Sequence, residues 1–120
     1  MPSDRPQPEL SQPISVLKAE LFKAMGHPAR IRILEVLSDG EHAVGEMQPL
    51  VGIEASHLSQ QLGILRRAGL VTNRRDGASV IYRLTDDNIV DLLRAAKRFL
   101  VDTLASREDL LADLRSADRG

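Results

Sequence analysis

The chain of 120 residues contains no cysteine, and aromatic residues make up only 2% of it. Without cysteine the protein can form neither disulfides nor thiolate metal sites, and it cannot switch by thiol oxidation. Because Phe22, Tyr82 and Phe99 are its only aromatic residues, a core must be built from Leu, Ile, Val and Ala. The length favours one domain with a sizeable hydrophobic core.

Long apolar runs are missing as well. No stretch approaches the roughly 18 apolar residues that a membrane span requires, and the N-terminal residues lack a signal-peptide pattern. We therefore expect a cytoplasmic protein with no membrane partner. The three histidines are scattered, and no glycine loop is present that would bind phosphate, so the residues offer no catalytic set. The sequence predicts neither an enzyme nor a cofactor.

The net charge of −1 argues by itself against a nucleic-acid partner, but the charges are unevenly distributed. Residues 54–85 contain five basic and two acidic side chains, whereas the segments on either side of them both have an acidic excess. A basic stripe on a nearly neutral protein is a selective electrostatic footprint. The middle of the chain is therefore the place to look for contacts with an anionic partner.

The first part of the chain is predicted to contain a disordered lead-in and two helices. Residues 1–13 are rich in proline and poor in apolar side chains, which is typical of disorder. From Ile14 the apolar residues recur every three or four positions, and this pattern ends at Gly26. A second helix should begin at Pro28, which suits a first turn, and stop before Asp39.

Two further helices follow, separated by about five residues around Gly52. The third is predicted from about Val44 to Leu50, with Pro49 truncating its last turn. The fourth is predicted over residues 54–68. Two short helices joined by a tight glycine-containing turn, with a polar face on the second, indicate a helix-turn-helix motif. In that motif the second helix lies in the major groove of DNA.

The fourth helix has an unusually neutral polar beginning. Leu58, Leu62 and Leu65 mark its buried side, and other faces are left to uncharged polar groups. Base edges offer hydrogen-bond donors and acceptors rather than full charges, and Ser and Gln match them. We therefore predict that this helix contacts DNA through Ser56, His57, Ser59, Gln60 and Gln61.

For some of these five residues, a role other than DNA contact explains the side chain equally well. Gln60 is the strongest, because a glutamine can pair bidentately with adenine. His57 can contact DNA or simply be solvated, and Ser56 and Ser59 are equally well explained as turn or capping groups. Gly63 lies within the helix and is best explained by a close packing approach.

After the fourth helix the period changes to that of strands. Residues 70–75 and 79–84 are two short strand patterns joined by Asp76-Gly77-Ala78, which predicts a β-hairpin over residues 70–84. The hairpin should lie beside the duplex as a wing, with three arginines on the phosphate backbone. These arginines are Arg74, Arg75 and Arg83.

The remaining residues predict a long helix with a wide apolar face, capped by Asp86 or Asp87. A break is expected near Ser106, so the main domain is assigned to residues 14–106, and residues 107–120 to a helical extension or tail. The predicted fold class is mainly α with a small β-hairpin, in the order of four helices, two strands and a fifth helix.

Three stretches resemble the ArsR/SmtB family of dimeric winged-helix transcriptional repressors. They are FKAMGHPARIRILEVL, AVGEMQPLVGIEASHLSQQLGILRRAGLV and RRDGASVIYRL. They occur in the family's order and spacing, and the resemblance covers residues 20–104. The family usually has His where this chain has Gln61, so the resemblance implies a backbone or phosphate contact for Gln61 in place of a base contact.

The resemblance also allows the family's metal sites to be checked. Where the family has two metal-binding cysteines in the third helix, this chain has Ala43 and Gly45. The positions that match the zinc-type site of the last helix hold two carboxylates but no imidazole. These positions are Asp86, Asn88, Phe99 and Asp102. We therefore predict no metal site, and capping and solvation explain the nearby aspartates better than a hard cation does.

The resemblance and the apolar helix faces together imply a homodimer. The first and last helices would otherwise leave apolar residues exposed, so they are predicted to form the dimer interface. The predicted interface residues are Leu17, Leu21, Leu93, Ala96, Leu100 and Leu104. The implied function is repression of the protein's own operon at an inverted-repeat operator, relieved by a signal such as an unidentified small-molecule effector.

A winged-helix module that binds protein instead of DNA is the competing hypothesis. Such an assembly adaptor would share the fold and the apolar helix faces. It would differ by showing no salt-dependent binding to duplex DNA.

Overall fold

A proline marks the start of each of the first two helices: Pro13 is the N-cap of the first, and Pro28 is the first residue of the second. In the computed structural model, which describes residues 13–119, α1 spans Ile14–Met25 and α2 spans Pro28–Leu37. Pro28 occupies the first turn of α2, where its missing N–H costs nothing. His27 caps this helix, because its Nδ1 accepts a hydrogen bond of 3.0 Å from the backbone N–H of Ala29. The predicted disorder of residues 1–13 falls, apart from Pro13, outside the described residues.

The helix-turn-helix consists of α3, Val44–Val51, and α4, Ala55–Arg67. Gly52 ends α3 in the left-handed conformation, with φ of 81°, which glycine adopts without strain. The prediction that Pro49 truncates α3 is wrong, since the helix continues to Val51. The backbone N–H of Gly52 donates to the carbonyl of Gln48 at 2.8 Å, and this bond holds the last turn despite the proline.

An arginine of α2 also supports the end of α3. The Nε of Arg32 donates to the carbonyl oxygen of Val51 at 3.0 Å, and its Nη2 donates to that of Leu50 at 3.3 Å. These carbonyls lie in the last turn, where no helical N–H is available to them. The guanidinium of Arg32 therefore stabilises the last turn of α3, which Pro49 would otherwise weaken.

The predicted hairpin is confirmed as β2, Val71–Asp76, and β3, Ser79–Leu84. Gly77 has a φ of 63° in the two-residue turn between them. A third strand, β1, spans only His42–Ala43 and pairs with β3, giving the strand order β1-β3-β2. This strand was not predicted from the sequence. Two residues are too short a run to show the alternation by which a strand is recognised.

The core of residues 13–85 lies between the helices and one face of the sheet, and it contains no aromatic side chain. Aliphatic residues dominate it, as predicted, and two methionines join them. Its buried apolar residues are Met25, Ala29, Ile33, Leu34, Leu37, Met47, Val51, Leu58, Leu62, Leu65, Leu70 and Val71.

Residues 86–119 form a second unit that consists mainly of one helix, α5, Asn88–Arg119. The side-chain oxygen of Asp86 accepts a hydrogen bond of 2.7 Å from the backbone N–H of Asn88, as expected of a capping residue. The predicted break near Ser106 is wrong, because α5 is continuous. The chain has neither glycine nor proline in this region, so nothing in the backbone stops the helix. Among the described helices, none is long and apolar enough to cross a membrane.

The burial of α4 in the core predicts how substitutions on it change the stability of the protein. Leu58 is completely buried on α4, whereas Leu50 on α3 is 50% exposed. We expect Leu58→Ala to lower the free energy of unfolding by about 2–5 kcal/mol, because it removes buried methyl groups and leaves a cavity. Leu50→Ala, the matched control, should change it by less than about 0.5 kcal/mol. Urea unfolding at one fixed protein concentration measures both, and equal effects would contradict the described burial.

Candidate nucleic-acid interface

The exposed side of α4 presents a continuous polar stripe, and three of the five predicted contact residues belong to it. Ser56, Ser59, Gln60 and Arg67 are exposed, and Gly63 among them is partly so. Their spacing of three and four residues places them on one side of the helix. We call these five residues the α4 stripe. It combines two hydroxyls and an amide near the N-terminus of the helix with a guanidinium near its C-terminus.

Gln61 is not part of the α4 stripe, which corrects the prediction that it contacts DNA. Its side chain is only 5% exposed, and its Oε1 accepts a hydrogen bond of 2.9 Å from Nη1 of Arg30. Gln61 follows Leu58 by three residues and precedes Leu65 by four, so it shares their buried side. That spacing is visible in the sequence, but the polarity of the side chain outweighed it in the prediction.

His57 lies at the edge of the stripe and is half-buried. Its ring stands edge-to-face with that of His27, and the two ring centroids are 6.2 Å apart. His27 caps α2, so this contact places the first turn of α4 against the junction of α1 and α2. One part of the His57 side chain thus packs inside the protein, and the other part is exposed to solvent beside the α4 stripe.

Gly63 leaves room for the side chain of Arg67. A Cβ added at Gly63 would lie 3.3 Å from Nη1 of Arg67, which is tighter than an ordinary contact. The guanidinium therefore lies over the glycine, on the exposed side of α4. This agrees with the expected close packing approach and identifies the approaching group as a charged one.

The wing arginines occupy both faces of the hairpin. Directly paired residues share a face of an antiparallel sheet, and successive residues alternate. Arg75 pairs with Val80, whereas Arg74 pairs with Ile81 and Arg83 with Thr72. Arg74 and Arg83 therefore share one face, and Arg75 lies on the other. The face of Arg75 also contains Val80 and Tyr82, which line a cleft with Ser59 and Leu62 of α4. Arg75 is thus the arginine on the face of the hairpin that borders α4.

Arg74 is engaged within the protein. Its two terminal nitrogens donate to the two carboxylate oxygens of Glu41 at 2.7 and 2.8 Å, and both side chains are about half-exposed. The hydrogen bonds from Arg74 hold the pKa of Glu41 below its usual value, and the charges of Arg74 and Arg83 act in the same direction. Among the side chains described, those of residues 13–116, this is the one ion pair. Sequence reasoning missed Glu41, since 33 residues separate it from Arg74.

The predicted dimer residues are placed on helices of the two units. In α1, Leu17 and Leu21 are half-buried within the single chain. In α5, Leu93 is half-buried, Ala96 is exposed, and Leu100 and Leu104 are 56% and 54% exposed. Large exposed apolar side chains continue along α5 as Phe99, Val101, Leu110, Leu111 and Leu114. Within the described part of the chain, no three His, Asp or Glu side chains are grouped so that they could hold a metal ion.

Comparisons with known proteins agree with this architecture. A family model described as a helix-turn-helix domain matches residues 25–74. The uncharacterized HTH-type transcriptional regulator Rv0081 of Mycobacterium tuberculosis is 50% identical over 107 residues, which cover 88% of this chain and 94% of the relative. The crystal structure of Rv0081 superposes with a TM-score of 0.73 at 51% identity, covering 81% of this chain and 98% of that one.

Two other solved structures extend the comparison. The transcriptional repressor BigR of Xylella fastidiosa has a TM-score of 0.68 at 38% identity, covering 71% of this chain and 87% of its own. A homodimeric winged helix-turn-helix DNA-binding domain from Mycobacterium bovis, described as a possible ArsR-family regulator, has a TM-score of 0.68 at 27% identity. It covers 76% of this chain and 84% of its own. With its five helices, antiparallel wing and polar α4 stripe, this chain belongs to the ArsR/SmtB family of winged helix-turn-helix, DNA-binding transcriptional regulators.

Proposed function

We propose that the protein is a homodimeric repressor of its own operon that binds an inverted-repeat operator. The observation that supports this best is the α4 stripe, which presents uncharged hydrogen-bonding groups on the second helix of a helix-turn-helix. In this proposal Ser56, Ser59 and Gln60 contact base edges or nearby phosphates in the major groove, with His57 at the margin. BigR, a similar protein, is described as a transcriptional repressor.

The wing supplies the sequence-independent part of the proposed binding. Arg75 and Arg83 are exposed and offer charge to the phosphate backbone. Arg74 contributes less, because the carboxylate of Glu41 already occupies its guanidinium and must be released before a phosphate can bind. Gln61 is left out of the contact set on account of its burial.

The dimer places two recognition helices on one face of the duplex. The exposed leucines of α5, together with Leu17 and Leu21 of α1, are the proposed interface, and the similar domain from Mycobacterium bovis is homodimeric. A twofold dimer matches two half-sites separated by about one helical turn, ~10 bp. A signal that shifts the dimer to a geometry with poor DNA fit would relieve repression. The sequence offers no thiol for such a signal.

A direct experiment compares two duplexes, one from the region upstream of the protein's own gene and one of random sequence. We expect the upstream duplex to bind at least about a thousandfold more tightly at physiological salt, with affinity for both falling steeply as salt rises. Fluorescence anisotropy measures both affinities. Absence of salt-dependent duplex binding would overturn the proposal in favour of the protein-binding adaptor.

Gln60→Ala tests the base contact. Loss of a bidentate pair with a base is expected to weaken operator binding by about 1–3 kcal/mol and to relax the preference at one base pair. Affinity for random DNA should stay unchanged, because no phosphate contact is lost. An equal loss on operator and random DNA would show that Gln60 does not read a base.

Arg75→Ala tests the phosphate contact of the wing, and the neighbouring pair provides the controls. The slope of log affinity against log salt should fall in magnitude by about one for Arg75→Ala, on operator and random DNA alike. Arg74→Ala should change the slope less, because its charge is already shared with Glu41. Glu41→Gln should raise affinity for both duplexes, since it frees Arg74 and removes a negative charge from the wing. Equal slopes for all four proteins would remove the wing from the contact set.

Leu100→Asp tests the dimer. A carboxylate in an apolar interface loses its hydration without gaining a partner, so we expect the variant to be monomeric at micromolar concentration and to bind the operator weakly. Arg98→Asp introduces the same carboxylate on the opposite side of α5 and should stay dimeric. Sedimentation equilibrium measures both masses, and a dimeric Leu100→Asp variant would place the interface elsewhere.

A further inference from the structure

Arg30 of α2 uses its guanidinium to join two other helices. Its Nε donates to the carbonyl oxygen of Ala24 at 2.6 Å, and its Nη2 donates to that of Lys23 at 3.4 Å. Its Nη1 donates to Oε1 of Gln61 in the second turn of α4 at 2.9 Å. One side chain thus contacts the last turn of α1 and the recognition helix at once.

The hydrogen bonds from Arg30 to α1 satisfy carbonyl groups at the end of that helix. The last four carbonyls of a helix have no N–H partner within the helix, and a positive charge beside them is favoured by the helix dipole. Arg30 supplies both the donor and the charge to the last turn of α1, which ends at Met25. Its guanidinium is therefore held in a fixed orientation before it contacts α4.

The α4 side of the link is the one polar side chain that is buried within the described part of the protein. Gln61 lies among Leu58, Leu62 and Leu65 on the inner side of α4. Removing Arg30 would leave its buried oxygen without a donor, and an unsatisfied polar group of this kind is costly. A leucine at position 61 would need no hydrogen-bond donor.

The two kinds of contact restrain α4 differently. Leucine packing decides which side of α4 is buried, but the hydrophobic effect is non-directional, so it penalises a small rotation of the helix only weakly. A hydrogen bond from a fixed guanidinium is directional and weakens steeply when its angle changes. Gln60 directly precedes Gln61 and lies on the exposed side, so any rotation that breaks the Arg30 contact also moves Gln60. Base readout tolerates misplacement of only about 10–20°.

We propose that Arg30 and Gln61 are positioning residues that fix the rotation of the recognition helix against the end of α1. Neither touches DNA; they act through the direction in which Gln60 and Ser59 point. The inference rests on the proposed function, in which the α4 stripe reads the operator. The helix α1 is also part of the proposed dimer interface, which sets the distance between the two recognition helices. Arg30 therefore fixes the orientation of α4 relative to that interface.

The test measures the ratio of operator affinity to random-DNA affinity by fluorescence anisotropy, with Tm recorded for each protein. Gln61→Met keeps the length of the side chain and Arg30→Met keeps the apolar stem of the arginine, and each removes the hydrogen bond between the two residues. Each should lower the ratio by about tenfold, and the double variant should lower it no further, because the Arg30–Gln61 hydrogen bond is the one interaction that both substitutions remove. Gln61→Glu keeps the acceptor. Its added charge lowers affinity for both duplexes alike and should leave the ratio within about twofold of the original.

Arg32→Met is the matched control. Arg32 lies on the same helix and also donates to backbone carbonyls, but its partners are at the end of α3. It should lower Tm as Arg30→Met does and leave the ratio unchanged. An unchanged ratio in Arg30→Met and Gln61→Met would overturn the proposal, and so would an equal loss in Arg32→Met or an additive loss in the double variant.

The wild-type protein separates this proposal from the proposed function. If the wild type prefers the upstream duplex over random DNA, the function holds, and only the variants decide on the positioning pair. If the wild type shows no such preference, the proposed function fails first. In that case no orientation of α4 is being read, and the positioning role is overturned with it.

Discussion

The arrangement of the interface depends on one constraint, that α4 must bury one side completely in order to present the other. Leu58, Leu62 and Leu65 are at most 1% exposed, and they pack into a core that contains no aromatic side chain. This packing leaves the polar stripe on the outside, where it offers hydrogen-bonding groups without competing for a place in the core. The turn at Gly52 ends α3, and the carbonyl contacts of Arg32 join the end of α3 to α2. The buried leucines and the exposed polar stripe are thus two sides of the same thirteen-residue helix.

Neutral polar groups and positive charges occupy different parts of α4 and the hairpin. The first turns of α4 present hydroxyls and amides, and positive charge is found at the end of the helix and on the hairpin. A neutral reading surface depends on matching donors and acceptors, whereas arginines attract any phosphate backbone. Glu41 tempers this attraction, because it pairs with Arg74 and lies near Arg83. A protein with a net charge of −1 can therefore bind an anionic polymer locally without being basic as a whole.

Local patterns predicted most of the fold, and the errors share a physical cause. The bounds of α1, α2 and β3 follow from apolar periodicity, Pro28 and the hairpin turn, all of which act over a few residues. The break near Ser106 and the truncation at Pro49 were wrong because a propensity was given more weight than the bonds that continue a helix. The short strand at His42 exists only because β3 lies beside it. Gln61 was assigned to the surface by its polarity, although its spacing from Leu58 and Leu65 places it inside.

The sequence by itself determined the order of the helices and the hairpin, the family and the neutral character of α4, because periodicity and turn residues act locally along the chain. Only the tertiary structure decided which distant partner holds the buried amide of that helix and which arginines are already occupied. Arg30 meets Gln61 across 31 residues, and Arg74 meets Glu41 across 33. Such pairings depend on how separate elements pack together, and no local pattern in one chain encodes which distant partner a guanidinium will find.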